Sequence, residues 1–225
     1  MREEVSILGV AYPRQEDLKN KCRLLLYAND EVVRDPSDVA FLSSLLERHP
    51  NAKVKIGVGI SQFRRVWTGK GTKAFVLDRL DGTSDNFSFY KCIKGKPMSL
   101  QQSLERALRT VVKQDIKLWK DEQFTQGNNR CSVSGVEISR GDADVDHEYP
   151  LTFQKIVSDW QRQANIQLSD TMFITGLDHQ FEPKLADSTI EDSFRGYHRD
   201  VAVLRLLSRP VHRGLKKPRK EHHVH

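Results

Sequence analysis

The chain has 225 residues, of which 38% are hydrophobic and 29% are charged. This composition is typical of a globular protein, and no apolar run is long enough to span a bilayer, which excludes a membrane partner. Three cysteines, Cys22, Cys92 and Cys131, are too few and too far apart for a disulfide framework. We therefore expect a soluble protein of a reducing compartment, the cytoplasm.

The net charge of +6 and the pI near 9.2 favour a polyanionic partner. The C-terminal end carries a basic run that no acidic residue interrupts: Arg209, Arg213, Lys216, Lys217, Arg219 and Lys220. Such a run is typical of a segment that contacts phosphates, and equally of a solvated tail.

The first strong element is a helix that begins at Asp35-Pro36. Aspartate is a good N-cap, and proline suits the first helical position. We expect this helix to end near His49-Pro50. Four segments rich in β-branched and aromatic residues follow, KVKIGVGI, QFRRVW, KAFVLDRL and NFSFYKCI, and turn residues separate them. They predict a small antiparallel sheet.

A long amphipathic helix is predicted over residues 99–126, because Ser99 and Gln102 match a capping box and the apolar residues after them fall on one stripe. It would join a first domain, 1–98, to a second, 127–225. The second domain contains another predicted helix, 152–164, a surface insertion at about 165–191, and the basic tail.

The segment GDADVDHEYPLTF concentrates groups that suit a metal site. Asp144, Asp146, His147 and Glu148 stand at the end of a predicted strand before Pro150. Carboxylates bind Mg²⁺ or Mn²⁺, and imidazole is a suitable base near neutral pH. A solvated acidic turn would have the same composition. Neighbouring residues of a strand point to opposite faces, so Asp146 and His147 share a site only if the strand ends or bulges there.

Three motifs in the order CSVSG, DVDHEYP and LLSRPVH resemble the HNH (ββα-metal) endonuclease family. The resemblance implies that Asp146 binds a metal ion, that His147 is the general base, and that His212 is a second metal ligand. His198 is a candidate for supporting the catalytic site, and Asp144 for a further metal ligand.

The sequence departs from the family pattern at two places. The knuckle positions that hold structural zinc in many relatives would be Cys131, Ser134, Ser208 and Val211, so we expect no structural zinc. The middle position of the pattern falls near Val203, whose side chain cannot orient a histidine by hydrogen bonding. Asp144, Glu148 and His198 are the candidates to replace it.

The first half contains RHPNAKVKIGVGI and GTKAFVLDRLDGTSDNFSFYKCI, within residues 45–93, which resemble the DCL family. That family is associated with organellar ribosomal RNA maturation in plants. Arg64, Arg65 and Trp67 interleave positive charge with an aromatic ring, as phosphate contact and base stacking require. A strand with a charged outer face and with Trp67 packed in the core would have the same residue pattern.

These observations together predict an α+β protein: a small antiparallel-sheet DCL-like domain joined by a long helix to a ββα-metal (HNH-like) domain. The predicted function is a nuclease that uses one divalent cation, Mg²⁺ or Mn²⁺, to hydrolyse phosphodiester bonds, in DNA rather than RNA. Two alternatives stay open: a non-catalytic DNA- or RNA-binding protein with a degenerate HNH fold, and an RNA-processing nuclease. The sequence predicts no oligomeric state.

Overall fold

The computed structural model describes residues 4–69, 71–180 and 182–215. Contacts divide them into two units, residues 4–99 with 174–180, and residues 100–173 with 182–215. The mixed α+β class is confirmed, with helices and small antiparallel sheets in each half of the chain. No helix in these ranges is long and apolar enough to cross a membrane. Four of the predicted nucleic-acid contacts, Lys216, Lys217, Arg219 and Lys220, lie outside the described residues.

The first unit contains a hairpin, a three-stranded antiparallel sheet of order β3-β4-β5, and four helices within residues 4–99. In chain order these elements are β1 (Val5–Ile7), β2 (Val10–Tyr12), α1 (Gln15–Leu26), α2 (Pro36–Glu47), α3 (Ala52–Ile56), β3 (Ile60–Trp67), β4 (Lys73–Arg79), β5 (Ser84–Phe87) and α4 (Phe89–Lys94). Phe63, Phe75, Leu77 and Phe87 of the sheet pack in one core with apolar residues of the helices.

The predicted helix at Asp35 is confirmed, and the Asp35 carboxylate accepts hydrogen bonds from the amides of Ser37 and Asp38, at 2.8 and 3.2 Å. Two strand predictions were wrong over most of their length, although Asn86 and Phe87 lie in β5 and Ile60 begins β3. Residues 52–56 are helical and end at Gly57, whose φ of +54° favours glycine. Residues 89–94 are also helical, because Phe89, Cys92 and Ile93 bury one helical stripe and not alternate positions.

From residue 100 onward the chain forms the helices and short sheets that carry most of the candidate site residues. The elements are α5 (Leu100–Val111), α6 (Lys113–Thr125), β6 (Ala143–His147), α7 (Phe153–Gln163), a 3₁₀ turn (Asp170–Met172), β7 (Phe173–Ile174), β8 (Lys184–Leu185), α8 (Ser188–Val201), β9 (Leu204–Ser208) and α9 (Arg209–Gly214). The helix predicted over 152–164 is confirmed, with Thr152 as its N-cap.

The predicted 99–126 helix is two helices that meet at Val112. Ile116 of α6 still packs against the cluster of α5, but the rest of α6 contacts a second apolar cluster. Leu104 and Leu108 of α5 lie in a core with α7 and α8, whereas Trp119 and Phe124 of α6 contact the cluster formed around Cys131 and β9. The backbone of Val112, at φ −91° and ψ 0°, interrupts the helix between these two sets of contacts.

Strands β6 and β9 pair antiparallel, and α9 follows β9 directly. In this ladder Asp144 lies opposite Leu207, Asp146 opposite Arg205, and His147 opposite Leu204. The long segment between the two strands contributes α7 and α8 to the core of the second unit. Two strands and a helix therefore bring together parts of the chain that are far apart in sequence.

Candidate functional site

Strand β6 places the predicted site residues on two different faces. His147 is still part of the ladder, and the amide of Glu148 after it donates to the carbonyl of Val203 at 2.9 Å. The strand therefore neither ends nor bulges between Asp146 and His147. Because side chains alternate along a strand, Asp144 and Asp146 share one face and His147 points to the other.

On the first face, Asp144, Asp146 and His212 form what we call the acid–histidine cluster. Nδ1 of His212 is 2.9 Å from Oδ2 of Asp144, and Nε2 of the same ring is 3.8 Å from Oδ1 of Asp146. A carboxylate only accepts, so Nδ1 carries the proton that it shares with Asp144. Nε2, the other ring nitrogen, lies on the side of Asp146.

Arg205 holds the other oxygen of Asp146. Its Nε and Nη2 donate to Oδ2 of Asp146 at 3.0 and 2.8 Å across the ladder. This pair fixes the orientation of the carboxylate and leaves Oδ1 on the side of His212. It also neutralises much of the charge that would attract a cation.

The donor set of the cluster fits a weakly held, hydrated divalent cation. No group of three or more His, Cys, Asp or Glu side chains within the described ranges is arranged to hold a metal ion. The cluster offers two donors, Nε2 of His212 and Oδ1 of Asp146. Mg²⁺ and Mn²⁺ keep several waters and commonly use few protein ligands together with substrate phosphate. Asp144 is already bonded to Nδ1, so it suits the orienting role that carboxylates have behind metal-bound histidines.

On the opposite face, His147 and His198 form an imidazole pair, with their Nε2 atoms 2.8 Å apart. His198 is buried, and the His147 ring packs edge-on against Phe153. Burial, and then the charges of His198 and Arg109, lower the pKa of His147 to about 4, and burial also lowers the pKa of His198. Both rings are therefore neutral at pH 7. In this orientation His147 does not face the acid–histidine cluster, where a general base would be needed.

The predicted knuckle positions surround a buried thiol. Cys131 is 1% exposed, and Val211 packs against its cluster. Burial opposes ionisation of Cys131, but hydrogen bonds from the Ser134 hydroxyl and from the amides of Ser208, Ser134 and Val133 outweigh it and lower the pKa to about 6. Ser134 and Ser208 thus donate to Cys131 at positions where many HNH proteins carry thiolates.

Two of the predicted basic contacts lie at the start and end of α9. Arg209 donates through Nη2 to the carbonyl of Gly141, and its Nε is 3.8 Å from Oδ1 of Asp144. Arg213 is exposed on the last turn of the helix. Positive charge therefore lies beside the acid–histidine cluster.

The arginines predicted to bind nucleic acid in the first unit are engaged within the fold. Arg65 is 6% exposed and donates to the carbonyls of Leu25, Asp30 and Val32 at 2.6, 3.0 and 3.3 Å. Its guanidinium is not accessible to a phosphate. Arg64 forms two 2.7 Å hydrogen bonds with Asp78, which neutralises its charge.

Trp67 is exposed, which removes the alternative that it packs in the core. Its side chain is 62% exposed at the end of β3. The Tyr27 ring, 50% exposed, approaches it edge-on with centroids 6.3 Å apart, and Nζ of Lys73 lies 5.4 Å from the Trp67 ring centre. Tyr27, Trp67 and Lys73, the Trp67 patch, combine aromatic faces with a cation.

Residues 24–93 match a family model described as "Protein of unknown function (DUF3223)". This region includes residues 45–93, whose motifs resemble the DCL family, and excludes the acid–histidine cluster. DNA-directed RNA polymerase IV subunit 1 of Arabidopsis thaliana is 36% identical over 59 residues, which is 26% of this chain and 4% of that protein. The chain thus spans a small fraction of that relative. The chain is also similar to an uncharacterized protein from Rhodospirillum rubrum whose solution NMR structure is known, with 33% sequence identity and a TM-score of 0.37. The match covers 41% of this chain and 91% of that protein.

Sequence reasoning did not find Arg205 or Tyr27. Arg205 acts on Asp146 only because two strands whose paired residues are 59 positions apart align in this register. Tyr27 comes from the end of α1, and its contact with Trp67 depends on how that helix packs against the sheet. No local pattern signals either contact.

Proposed function

We propose that the protein is a divalent-cation-dependent endonuclease of the HNH type that hydrolyses phosphodiester bonds, with DNA as the expected substrate. The observation that carries this proposal is the His212 ring between two carboxylates, with Asp144 at Nδ1 and Asp146 facing Nε2. A structural role alone does not require a half-exposed histidine to present its second nitrogen towards a carboxylate.

The order of elements also supports the proposal. Asp146 comes from the first strand of the β6–β9 ladder and His212 from the helix that follows the second strand. This is the strand–strand–helix order implied by the resemblance to HNH proteins.

In this proposal each side chain near the acid–histidine cluster has a separate role. Asp144 holds the proton of Nδ1, so that His212 and Asp146 offer one nitrogen and one oxygen to a cation. Bound there, a divalent cation would neutralise charge developing on the phosphate and promote ionisation of water. Arg205 keeps Asp146 in place, while Arg209 and Arg213 attract the flanking phosphates.

Hydrolysis also needs a proton acceptor. His147 is in the accepting, neutral form at pH 7, but its Nε2 is engaged by His198. To act as the base, His147 would have to leave this partner, and the end of β6 would have to leave the ladder, because the Cα–Cβ bond of a strand residue keeps its side chain on one face. The cleavage-competent state we propose therefore differs from the described one in the backbone at the end of β6 and in the partner of His147.

A second candidate function is metal-independent nucleic-acid binding. Two observations favour it: the Arg205 guanidinium already occupies Oδ2 of Asp146, and His147 faces away from the acid–histidine cluster. The exposed Trp67 patch suits either function, because stacking on bases requires no metal.

Cleavage of plasmid DNA and of a structured RNA by the purified full chain, with Mg²⁺ or Mn²⁺, separates the two functions. His212→Ala removes one donor, and Asp146→Asn removes the negative charge of the other. Asp200→Asn is the matched control, because Asp200 is exposed on α8 and outside the acid–histidine cluster. Circular dichroism verifies that each variant is folded.

We expect the wild type to cut DNA, EDTA to abolish cutting, and both site variants to lose at least about 100-fold in rate while Asp200→Asn retains it. Cutting of RNA alone would make the protein an RNA-processing nuclease. Binding without any cutting would overturn the nuclease proposal in favour of the second function, and neither binding nor cutting would overturn both.

A further inference from the structure

We propose that an open cavity in the second unit binds a nucleobase that carries an exocyclic amino group. The cavity has a volume of about 360 Å³ and lies between α6, the end of α8 and the start of β9. Its size falls in the range of small-molecule sites, about 300–1,000 Å³. None of the acid–histidine cluster residues lines it.

The apolar lining suits a flat ring. Trp119 contributes an aromatic surface, Leu204 an aliphatic one, and the buried His198 ring a further wall. A base that leaves the aqueous phase for such a cavity buries its faces against apolar and aromatic atoms, as extruded bases do in nucleic-acid enzymes.

The polar lining selects a ligand that donates hydrogen bonds. Asp115 and Glu122 contribute two carboxylates against one guanidinium, from Arg199. The contact between Arg199 and Asp115 is long, at 3.5 Å, and the Arg199 side chain is 68% exposed, so the carboxylate oxygens keep accepting capacity. This excess of negative charge disfavours a phosphate in the cavity.

These requirements distinguish among the bases. Guanine, cytosine and adenine carry an amino group with two N–H donors, one for each carboxylate, whereas thymine and uracil offer only the single N–H of the imide. Arg199 could donate to a ring nitrogen or carbonyl of the same base. The cavity should therefore prefer the amino-bearing bases over thymine.

Nucleobase binding depends on the proposed function in one respect, that the ligand is part of a nucleic acid. Leu204 lines the cavity and is the cross-strand partner of His147, so the cavity lies beside the end of β6. A base held there would be out of its stack and on the face of β6 that carries His147, opposite the acid–histidine cluster.

The test uses nucleosides, which carry no phosphate, in the presence of EDTA, which removes metal ions. The indole N–H resonances of the full chain are followed by NMR during titration with deoxyguanosine, deoxyadenosine, deoxycytidine and thymidine. Glu122→Gln and Asp115→Asn remove the charged acceptors. The matched control is Asp121→Asn, because Asp121 is the neighbouring carboxylate on α6 and pairs with Arg140 outside the cavity.

We expect the Trp119 resonance to shift with the amino-bearing nucleosides, and thymidine to bind at least about tenfold more weakly. Each acceptor variant should weaken binding about tenfold, and Asp121→Asn should not. Equal binding of thymidine, no shift of Trp119, or stronger binding of arginine amide than of any nucleoside would overturn the proposal. A negative result in this titration would not contradict metal-dependent cleavage, and a protein that does not cleave could still bind nucleosides, so the two proposals can fail separately.

Discussion

Asp85 lies at the centre of a buried ion network in the first unit. Its carboxylate is 2.6 Å from Nζ of Lys55 and 3.7 Å from Nη2 of Arg79, and it accepts from the amide of His179 at 2.8 Å. Asp85 is 1% exposed. These charges are therefore engaged in holding the unit together.

Asp85→Asn should lower the free energy of unfolding by about 3–5 kcal/mol, because it leaves the buried ammonium of Lys55 without a charged partner. Urea unfolding followed by circular dichroism measures the change. The control is Asp30→Asn, at an exposed carboxylate of the same unit, which should cost much less. Equal effects of the two substitutions would show that the network is not a main source of stability.

His49 should make the first unit sensitive to acid. It is 5% exposed, and burial, followed by the charges of Lys55 and Lys91, lowers its pKa to about 4. Between about pH 4 and pH 6.5 the unfolded chain binds a proton that the folded chain does not. The stability due to neutral His49 is therefore complete above pH 6.5 and is lost as the pH falls towards 4.

From pH 7 to pH 4.5 the free energy of unfolding should fall by about 2–3 kcal/mol more in the wild type than in His49→Gln. Each protein is compared with its own value at pH 7. Urea unfolding at the two pH values measures this. The same loss in both proteins would assign the acid sensitivity to other groups.

Asp144 should act on the metal ion through His212. Asp144→Ala removes the partner of Nδ1 and should weaken Mn²⁺ binding about 10–100-fold. Asp144→Asn keeps an acceptor oxygen and should weaken binding less. If Asp144→Ala and Asp146→Asn abolished binding to the same extent, Asp144 would be a direct ligand, as the sequence first suggested.

At the scale of elements, the sequence predicts helices that begin with an N-cap residue, but it does not predict which distant segments pair. Asp35 and Thr152 mark the starts of α2 and α7 in the sequence and in the structure. The short helices α3 and α4 were read as strands, because their β-branched and aromatic content resembles that of the sheet beside them. The burial of α4 at helical spacing becomes visible only once the core is known.

Helix α7 should depend on its N-cap. The Thr152 hydroxyl accepts from the amide of Lys155 at 3.3 Å, and α7 buries Phe153, Ile156, Val157 and Trp160. Thr152→Ala should lower the free energy of unfolding by about 1 kcal/mol, whereas Thr152→Ser should preserve it. Indistinguishable stabilities of the two variants would show that packing of the apolar stripe alone fixes the start of this helix.

At the scale of the whole molecule, the motifs identified the residue types of the candidate site but not their orientation. Asp144 and Asp146 both lie within 4 Å of the His212 ring. His147 does not join them, because the ladder continues through it and alternation turns it towards His198. A motif specifies which side chains are present, whereas the register of β6 on β9 decides which of them share a face.

The proposed binding of nucleic acid can be tested at the exposed Trp67 patch. Trp67→Ala should raise the dissociation constant for a short single-stranded oligonucleotide about 5- to 150-fold, since stacking on one base contributes about 1–3 kcal/mol. Trp67→Phe keeps an aromatic face and should lose less. Fluorescence anisotropy measures both, and unchanged affinity in Trp67→Ala would exclude the patch from binding.

The most direct test of the account is Mn²⁺ binding by the full chain, measured by electron paramagnetic resonance. The terminal histidines His222, His223 and His225 are replaced by alanine so that they cannot bind the ion. The account predicts one bound Mn²⁺ that is lost in Asp146→Asn and in His212→Ala and kept in Asp200→Asn. Binding that survives both site substitutions, or no binding at all, would contradict it.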